Sequence, residues 1–415
     1  MNYSSYSVKV QQHMYNKSIV NGWLILLVIL LTGCNRPTSK PNNIMINWSK
    51  LPDLPGMADT ASLGVSAPFA GISNGKLVVA GGCNFPDKPV TEGGAKKYYS
   101  DIFTLDLSDK NAQWEKAGNL PLPVAYGASV TTPEGVVCIG GNNSTDFFTD
   151  VHLLSTSDND GSVHICRLAS LPVPMDNLSA TYADHTVYVA GGNENKRPGN
   201  SFFAMKLDKN LDGDWEKLPD IPCPARVQPV LAAQKSADGI RIYLAGGFQP
   251  LSGDKDAIVP SDMLSFHPGT KEWITETELP LFDNGARRTF TGGCAVAYKD
   301  SSILFMGGVN YDRFLAAVNR PKLIEKAEAD GDTALVGTLQ EEGKSYMFHP
   351  VEWYKFNTAL LQYNTFTKEW TNLGEYEQLA RAGAGAILKG DSLIIVNGEL
   401  KPGIRTPHVN LAIIE

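Results

Sequence analysis

The residues with the richest chemistry stand near the end of the chain, in "VNGELKPGIRT" (396–406), where Glu399, Lys401 and Arg405 fall close together. A carboxylate beside cations has neighbours able to tune its proton affinity, as general acid–base work requires. The plain alternative is a salt bridge from Glu399 to Lys401 or Arg405 with no further role. Other arginines share a matching context earlier in the chain: Arg226 in "CPARVQP", Arg287 and Arg288 in "NGARRTF", and Arg381 in "LARAGAG". Each taken alone suits a surface ion pair, but a set at corresponding positions suits a small anionic ligand, because guanidinium forks pair bidentately with carboxylates. The net charge of −8, without a basic block, argues against a nucleic-acid partner.

Groups so far apart in the chain need a scaffold that gathers them, and repetition supplies one. "KLVVAGG" (76–82), "GVVCIGG" (135–141), "TVYVAGG" (186–192), "RIYLAGG" (241–247) and "SILFMGG" (302–308) are apolar strands ending in Gly-Gly, and "SLIIVNG" (392–398) is the sixth copy. Each has a strand ahead of it, such as "GASVTT" or "GAGAIL". Behind it comes a strand opening at an acidic residue, as in "DIFTLDL" (101–107), and then a Trp segment such as "QWEKAGNLP" (113–121) or "DWEKLPDIP" (214–222). The second copy offers "HICRLASLP" (164–172) without a Trp. Four strands per copy, at a period of roughly 50 to 60 residues except before the last copy, point to propeller blades of the kelch kind.

The sixth copy ends at Glu415 with no tryptophan segment behind it, while "NWSKLPDLP" (47–55) stands alone near the other end. The N-terminal strand is therefore expected to complete the last blade, a closure that protects sheet edges. The expected fold is all-β: a six-bladed kelch-type β-propeller over residues 45–415. Residues 313–356, "RFLAAVNRPKLIEKAEAD…", carry helical residues instead of strand alternation and leave the sheet straight after a Gly-Gly. They are expected to form a helical insertion in the fifth blade, acting as a lid over the propeller mouth.

In such a ring, loops after each Gly-Gly and those ahead of each first strand meet at one end of the axis. Asn84, Asn193 and Asn310 are the candidates after the Gly-Gly turns, joined by Arg226, Arg287 and Arg381 from ahead of the first strands. No metal site is expected: the six Cys show no C-x-x-C spacing, and the seven His do not cluster.

At the N-terminus, "GWLILLVILL" (22–31) is preceded by Lys9 and Lys17 and followed by "LTGC". This pattern reads as a lipoprotein signal over 1–33 with Cys34 lipidated, then a flexible tether over 34–44, "CNRPTSKPNNI". The expected location is the cell envelope or periplasm of a bacterium, with a lipid anchor in the membrane.

"PFAGISNGKLVVAGGCNFP" (68–86), "EGGAKKYYSDI" (92–102), "GGVN" (307–310) and "VNGELKPGIRT" (396–406) resemble the sialic acid mutarotases, or N-acetylneuraminate epimerases, in a circularly permuted order. The resemblance covers nearly all of the chain after the signal. It implies interconversion of the α and β anomers of N-acetylneuraminate, without a cofactor, with Glu399 as proton acceptor and Arg405 in the site. The chain departs from that family at "LPVAYGAS" (122–129), where Val124 stands in place of an arginine. The rival reading is a non-catalytic kelch propeller that binds a sialylated or other anionic glycan. A sialidase is disfavoured because the S-x-D-x-G-x-x-W boxes are missing, and a copper oxidase because the His are scattered. Nothing in the sequence specifies an oligomeric state.

Overall fold

The computed structural model describes residues 44–415 except 60, 158–161, 209, 223 and 254. The segment expected to be a lipoprotein signal, Cys34 and nearly all of the expected tether lie outside the described residues.

Each Gly-Gly run, and the Asn-Gly run of the sixth copy, forms the second strand of a four-stranded antiparallel sheet, and the described residues hold six such sheets. Their first strands run Phe69–Ser73, Ala128–Thr132, Ser179–Ala183, Val227–Ser236, Gly293–Tyr298 and Gly385–Lys389. Each first strand packs on that of the next sheet, and the sixth returns to the first. The sixth sheet takes its outer strand from the other end of the chain: Ile46–Leu51 pairs antiparallel with Val409–Ile414, from Ile46 opposite Ile414 to Leu51 opposite Val409. In the second sheet Val163–Arg167 fills the place that a Trp-bearing strand takes elsewhere. The arrangement is consistent with a β-propeller.

A circuit of backbone hydrogen bonds closes at the head of the first strands. Ala67 N–H donates to Gly383 O, Gly383 to Gly292, Gly292 to Gln228, Gln228 to Asn177, Asn177 to Tyr126 and Tyr126 to Ala67, over 2.7–3.2 Å. All six residues have left-handed backbones, with φ between 51° and 70°. That conformation turns each N–H to one neighbour and each C=O to the other, so no polar group of the circuit is orphaned where strands crowd. A left-handed L-residue costs about 1–2 kcal/mol, so the four non-glycine members are held there by the circuit.

The Gly-Gly turns need glycine for close approach as well as for φ. A Cβ on Gly81 would lie 2.5 Å from Val124 O, and one on Gly191 2.4 Å from Arg226 O. The sixth copy keeps the same backbone with Asn397 at φ 54° and Gly398 at φ 102°, since Asn tolerates the left-handed region better than most residues.

The core is divided, among the described residues, into six apolar clusters, each between two neighbouring sheets. Leu231, Leu244 and Phe266 of the fourth sheet, for example, meet Tyr188, Phe202 and Ala204 of the third. Tryptophans lock these wedges. Trp114 Nε1 donates to Pro52 O at 2.9 Å, Trp215 Nε1 to Ala169 O at 2.9 Å, and Trp273 Nε1 to Pro219 O at 3.0 Å, each reaching the closing segment of the preceding sheet. In these three both apolar body and polar edge are satisfied, whereas Trp48 Nε1 and Trp370 Nε1 are buried without a partner among the described residues.

Between Ser302–Gly307 and Ala359–Asn364 of the fifth sheet lie two helices, α1 (Tyr311–Ala329) and α2 (Thr333–Ser345). Asn310 caps α1 by accepting from Arg313 N–H at 3.1 Å, and Asp332 caps α2 by accepting from Leu335 N–H at 3.0 Å.

Candidate functional site

A cavity of about 430 Å³ opens on the backbone circuit, a size suited to a small ligand. Its floor includes Ala67, Tyr126, Asn177, Gln228, Gly292 and Gly383; Glu399 and Pro402 border it from the sixth sheet, and Arg313, Phe314, Tyr346, Tyr354 and Phe356 from the segment that holds the helices.

Glu399 sits on a hairpin. Glu399–Lys401 pairs with Ile404–Arg405 so that Glu399 and Arg405 lie directly opposite. The hairpin is anchored to the rim because Glu399 N–H donates to Ala382 O at 2.7 Å and Ala382 N–H returns a bond to Glu399 O at 3.0 Å. The carboxylate is held by Oε1, which accepts from Gly403 N–H at 2.9 Å and from Arg405 Nη2 at 3.1 Å. Among the described residues both of its side-chain hydrogen-bond contacts fall on that one oxygen, and the residue lines the cavity.

The Arg405 side chain is only 3 % exposed and lies over the Phe85 ring, 4.8 Å from its centroid. Its Nε and Nη1 are buried and have no hydrogen-bond partner among the described residues. Unpaired buried guanidinium nitrogens are costly, and here they are donors left over beside a carboxylate that faces a cavity. The salt bridge expected as the alternative to chemistry is thus present together with the cavity.

Next to this pair, Tyr126 Oη accepts from Lys96 Nζ at 3.0 Å and from Cys83 Sγ at 3.4 Å. Burial pushes the Tyr126 phenol far above its ordinary range and raises the Cys83 thiol, so both stay protonated at neutral pH. Also on the cavity wall, Arg313 lies over the Trp353 ring at 4.0 Å. Lys401 Nζ ties the hairpin to the segment after α2, donating to His349 O at 2.6 Å and Met347 O at 3.2 Å.

The family model of N-acetylneuraminate epimerase matches residues 31–163 and 168–415. The chain belongs to the N-acetylneuraminate epimerase family. It is 30 % identical over 240 residues to the N-acetylneuraminate epimerase of Haemophilus influenzae strain 86-028NP, covering 58 % of this chain and 57 % of that one. To the N-acetylneuraminate epimerase of Salmonella arizonae it is 28 % identical over 257 residues, covering 61 % and 60 %. The matched stretch thus spans less than two thirds of the length of these relatives. A solved structure of YjhT superposes with a TM-score of 0.56 at 15 % identity, over 88 % of this chain and all of that one, which is a likeness of fold.

Within this epimerase-family chain the structure separates the expected site residues. Glu399 and Arg405 are brought together, and Asn310 lines the cavity while capping α1. Arg226, Arg287 and Arg381 do not line it. Arg226 is fully buried, donating to Gly246 O at 3.2 Å and Asp262 Oδ1 at 2.6 Å. Arg381 is buried too, reaching Asn397 O and His408 O at 3.0 Å and also Asn410 Oδ1; burial pushes its guanidinium down to about 10.

The backbone carbonyls of both residues accept from the second glycine of the preceding sheet, Gly192 to Arg226 and Gly308 to Arg381. They are clamps, with the main chain on one sheet and the side chain on the next. Val124 holds the equivalent place, its O accepting from Gly82 N–H at 2.8 Å, and its side chain packs into an apolar cluster. The arginine missing there is therefore one of this clamp position and takes nothing from the cavity.

Arg287 is exposed and donates to Tyr311 Oη at 3.0 Å, latching the first turn of α1. Asn84 is buried between Gly64 O and Tyr99 Oη, at 2.8 and 2.7 Å. Asn193 donates to Asp176 Oδ1 at 2.5 Å, behind the cavity wall. Backbone demand explains Arg226, Arg381 and Asn84: a polar side chain beside a crowded strand end finds carbonyls before it finds solvent.

Sequence reasoning missed Tyr126, Asn177 and Gln228 as cavity residues. The signal lies in aligning "SAP", "AYG", "DNL", "VQP", "TGG" and "AGA" just ahead of or at the head of the first strands, which puts Ala67, Tyr126, Asn177, Gln228, Gly292 and Gly383 at one position.

Proposed function

We propose that the protein is a mutarotase that interconverts the α and β anomers of N-acetylneuraminate, on a six-bladed kelch-type propeller with a helical insertion in the fifth blade. The observation that carries the reading is Glu399, fixed through one oxygen by Gly403 and Arg405 while it borders the cavity. Membership of the epimerase family supports the substrate.

In the forward step the free Glu399 oxygen takes the proton of the anomeric hydroxyl. The electron pair of that O–H forms the ketone at C2, and the bond from C2 to the ring oxygen breaks. The ring oxygen then takes the proton back from Glu399. Both oxygens are bonded to C2, so one carboxyl group reaches both. Rotation of the open-chain ketone and the reverse transfers close the ring with C2 inverted. Such proton transfer contributes roughly 100- to 10,000-fold. Arg405 stabilises the carboxylate between transfers, and Arg313, which also lines the cavity, grips the carboxylate of the sugar acid. The segment with α1 and α2 acts as the lid.

Anomer exchange followed by proton NMR tests the reading. Native protein is expected to accelerate exchange and Glu399→Gln to lose at least about 100-fold of that with its melting temperature kept. Native protein that leaves exchange at the spontaneous rate overturns catalysis, and saturable binding in that case marks a glycan-binding propeller. Export with lipidation at Cys34 rests on the "LTGC" sequence and is checked by labelled fatty-acid incorporation, which Cys34→Ala should abolish.

A further inference from the structure

Behind the third-sheet side of the cavity lies a carboxylate held by amides. Asp176, 1 % exposed, accepts from Asn142 Nδ2 and Asn193 Nδ2 at 2.5 Å and from Asn177 Nδ2 at 3.0 Å. Asn177 Oδ1 in turn accepts from Gln228 Nε2 at 2.9 Å. Asn177 and Gln228 both line the cavity, and neither is fully buried.

This chain of amides has a direction. Asp176 accepts from three amides at its two oxygens, so the Asn177 atom facing it is the NH₂. Asn177 Oδ1 then faces Gln228, and Gln228 must present its own NH₂ to it. The carboxylate therefore fixes, through two links, that Gln228 Oε1 is the atom left for a ligand. A Cβ placed on Gly292 would lie 3.5 Å from Gln228 Oε1, so this oxygen stands at the edge of the space left open by the small rim residues.

We infer that Gln228 Oε1 accepts a hydrogen bond from the acetamido N–H of the sugar, with Asp176 as the positioning residue that sets its orientation through Asn177. The inference rests on the mutarotase reading for the ligand. In the pyranose ring the anomeric C2 and the acetamido-bearing C5 stand opposite each other. With C2 at Glu399 of the sixth sheet, C5 points across the circuit toward the third and fourth sheets, where Asn177 and Gln228 stand. An acceptor locked in place discriminates better than a free amide, because the wrong group leaves it unpaired in a confined site.

The test compares N-acetylneuraminate with its analogue bearing hydrogen in place of the acetamido group at C5, using both dissociation constants and NMR exchange rates. Native protein should prefer the acetamido sugar by about tenfold. Gln228→Met should abolish the preference by weakening only the acetamido sugar, and Asp176→Asn, which frees the amides to turn over, should reduce it in the same way. If Asp176→Asn does not fold, Asn177→Gly, which suits the left-handed backbone, breaks the same chain.

A preference unchanged in Gln228→Met, or equal weakening of both sugars, overturns the inference, because a merely structural role would not distinguish them. Absence of exchange with native protein overturns the mutarotase reading instead, and the ratio of dissociation constants still decides the role of Gln228. Native protein that binds neither sugar overturns both.

Discussion

Two arcs of the backbone circuit carry different side chains. The second, third and fourth sheets place Tyr126, Asn177 and Gln228 on it, whereas the fifth, sixth and first place Gly292, Gly383 and Ala67. The backbone conformation is the same all round, so the difference is one of side chain alone. Beside the small arc stand the Glu399 hairpin and the segment containing α1 and α2; behind the large arc stands the Asp176 amide cluster. A symmetric ring thus gains direction: one arc leaves room for chemistry and the other presents fixed polar atoms.

The arginines draw a parallel contrast. Arg226 and Arg381 spend both terminal nitrogens on carbonyls and side chains of their own sheets and leave Nε alone unpaired, while Arg405 leaves both Nε and Nη1 unpaired beside Glu399, among the described residues.

The largest effect that can break this picture lies in the clamps. Arg381→Leu leaves Asn397 O, His408 O and the Asn410 amide without their donor in a buried place, and is expected to cost about 3 kcal/mol, read by urea denaturation. Because Asn397 leads directly into the Glu399 hairpin, exchange activity should fall with it. Arg226→Leu should destabilise by a similar amount yet leave the activity of the folded fraction intact. Should Arg226→Leu instead fold normally and lose ligand affinity, the division between clamp and site arginines is wrong.

A smaller effect sharpens the link between the small arc and its cover. Lys401→Met removes the bonds to Met347 O and His349 O, and is expected to raise KM roughly threefold to tenfold, the worth of a charged hydrogen bond or less. Faster hydrogen exchange over 346–354 should accompany it. Unchanged exchange there would mean that Lys401 does not hold the segment after α2.

The smallest effect belongs to the ring's far side. Burial holds the His152 imidazole below its ordinary 6.5, against the opposing pull of Asp150. The folded state therefore binds this proton more weakly than the unfolded chain does. Its contribution to stability is present above about pH 6.5 and is lost as pH falls through the folded value. His152→Leu should flatten the acid limb of the stability profile by less than about 1 kcal/mol without altering ligand binding.

Much of this was legible in the chain itself. The Gly-Gly period, the Trp segments and the orphan "NWSKLPDLP" specify which strands pair, because short-range hydrogen bonding, φ > 0 at glycine and wedge-filling indoles are demands that repeat with the sequence. Glu399 and Arg405, six residues apart in one hairpin, were also readable, since a tight turn brings them opposite whatever surrounds them. The fate of Arg226 and Arg381 was not, because a guanidinium pairs equally well with a ligand carboxylate or with a main-chain carbonyl, and only the packed strand ends decide which is nearer. The same holds for Gln228. Its orientation depends on Asp176 through Asn177, across two sheets, and a hydrogen bond's direction is a property of the assembled network instead of the residue. Sequence determined the repeating backbone and the charged hairpin; tertiary structure decided which polar groups were used up in holding the ring and which were left for a ligand.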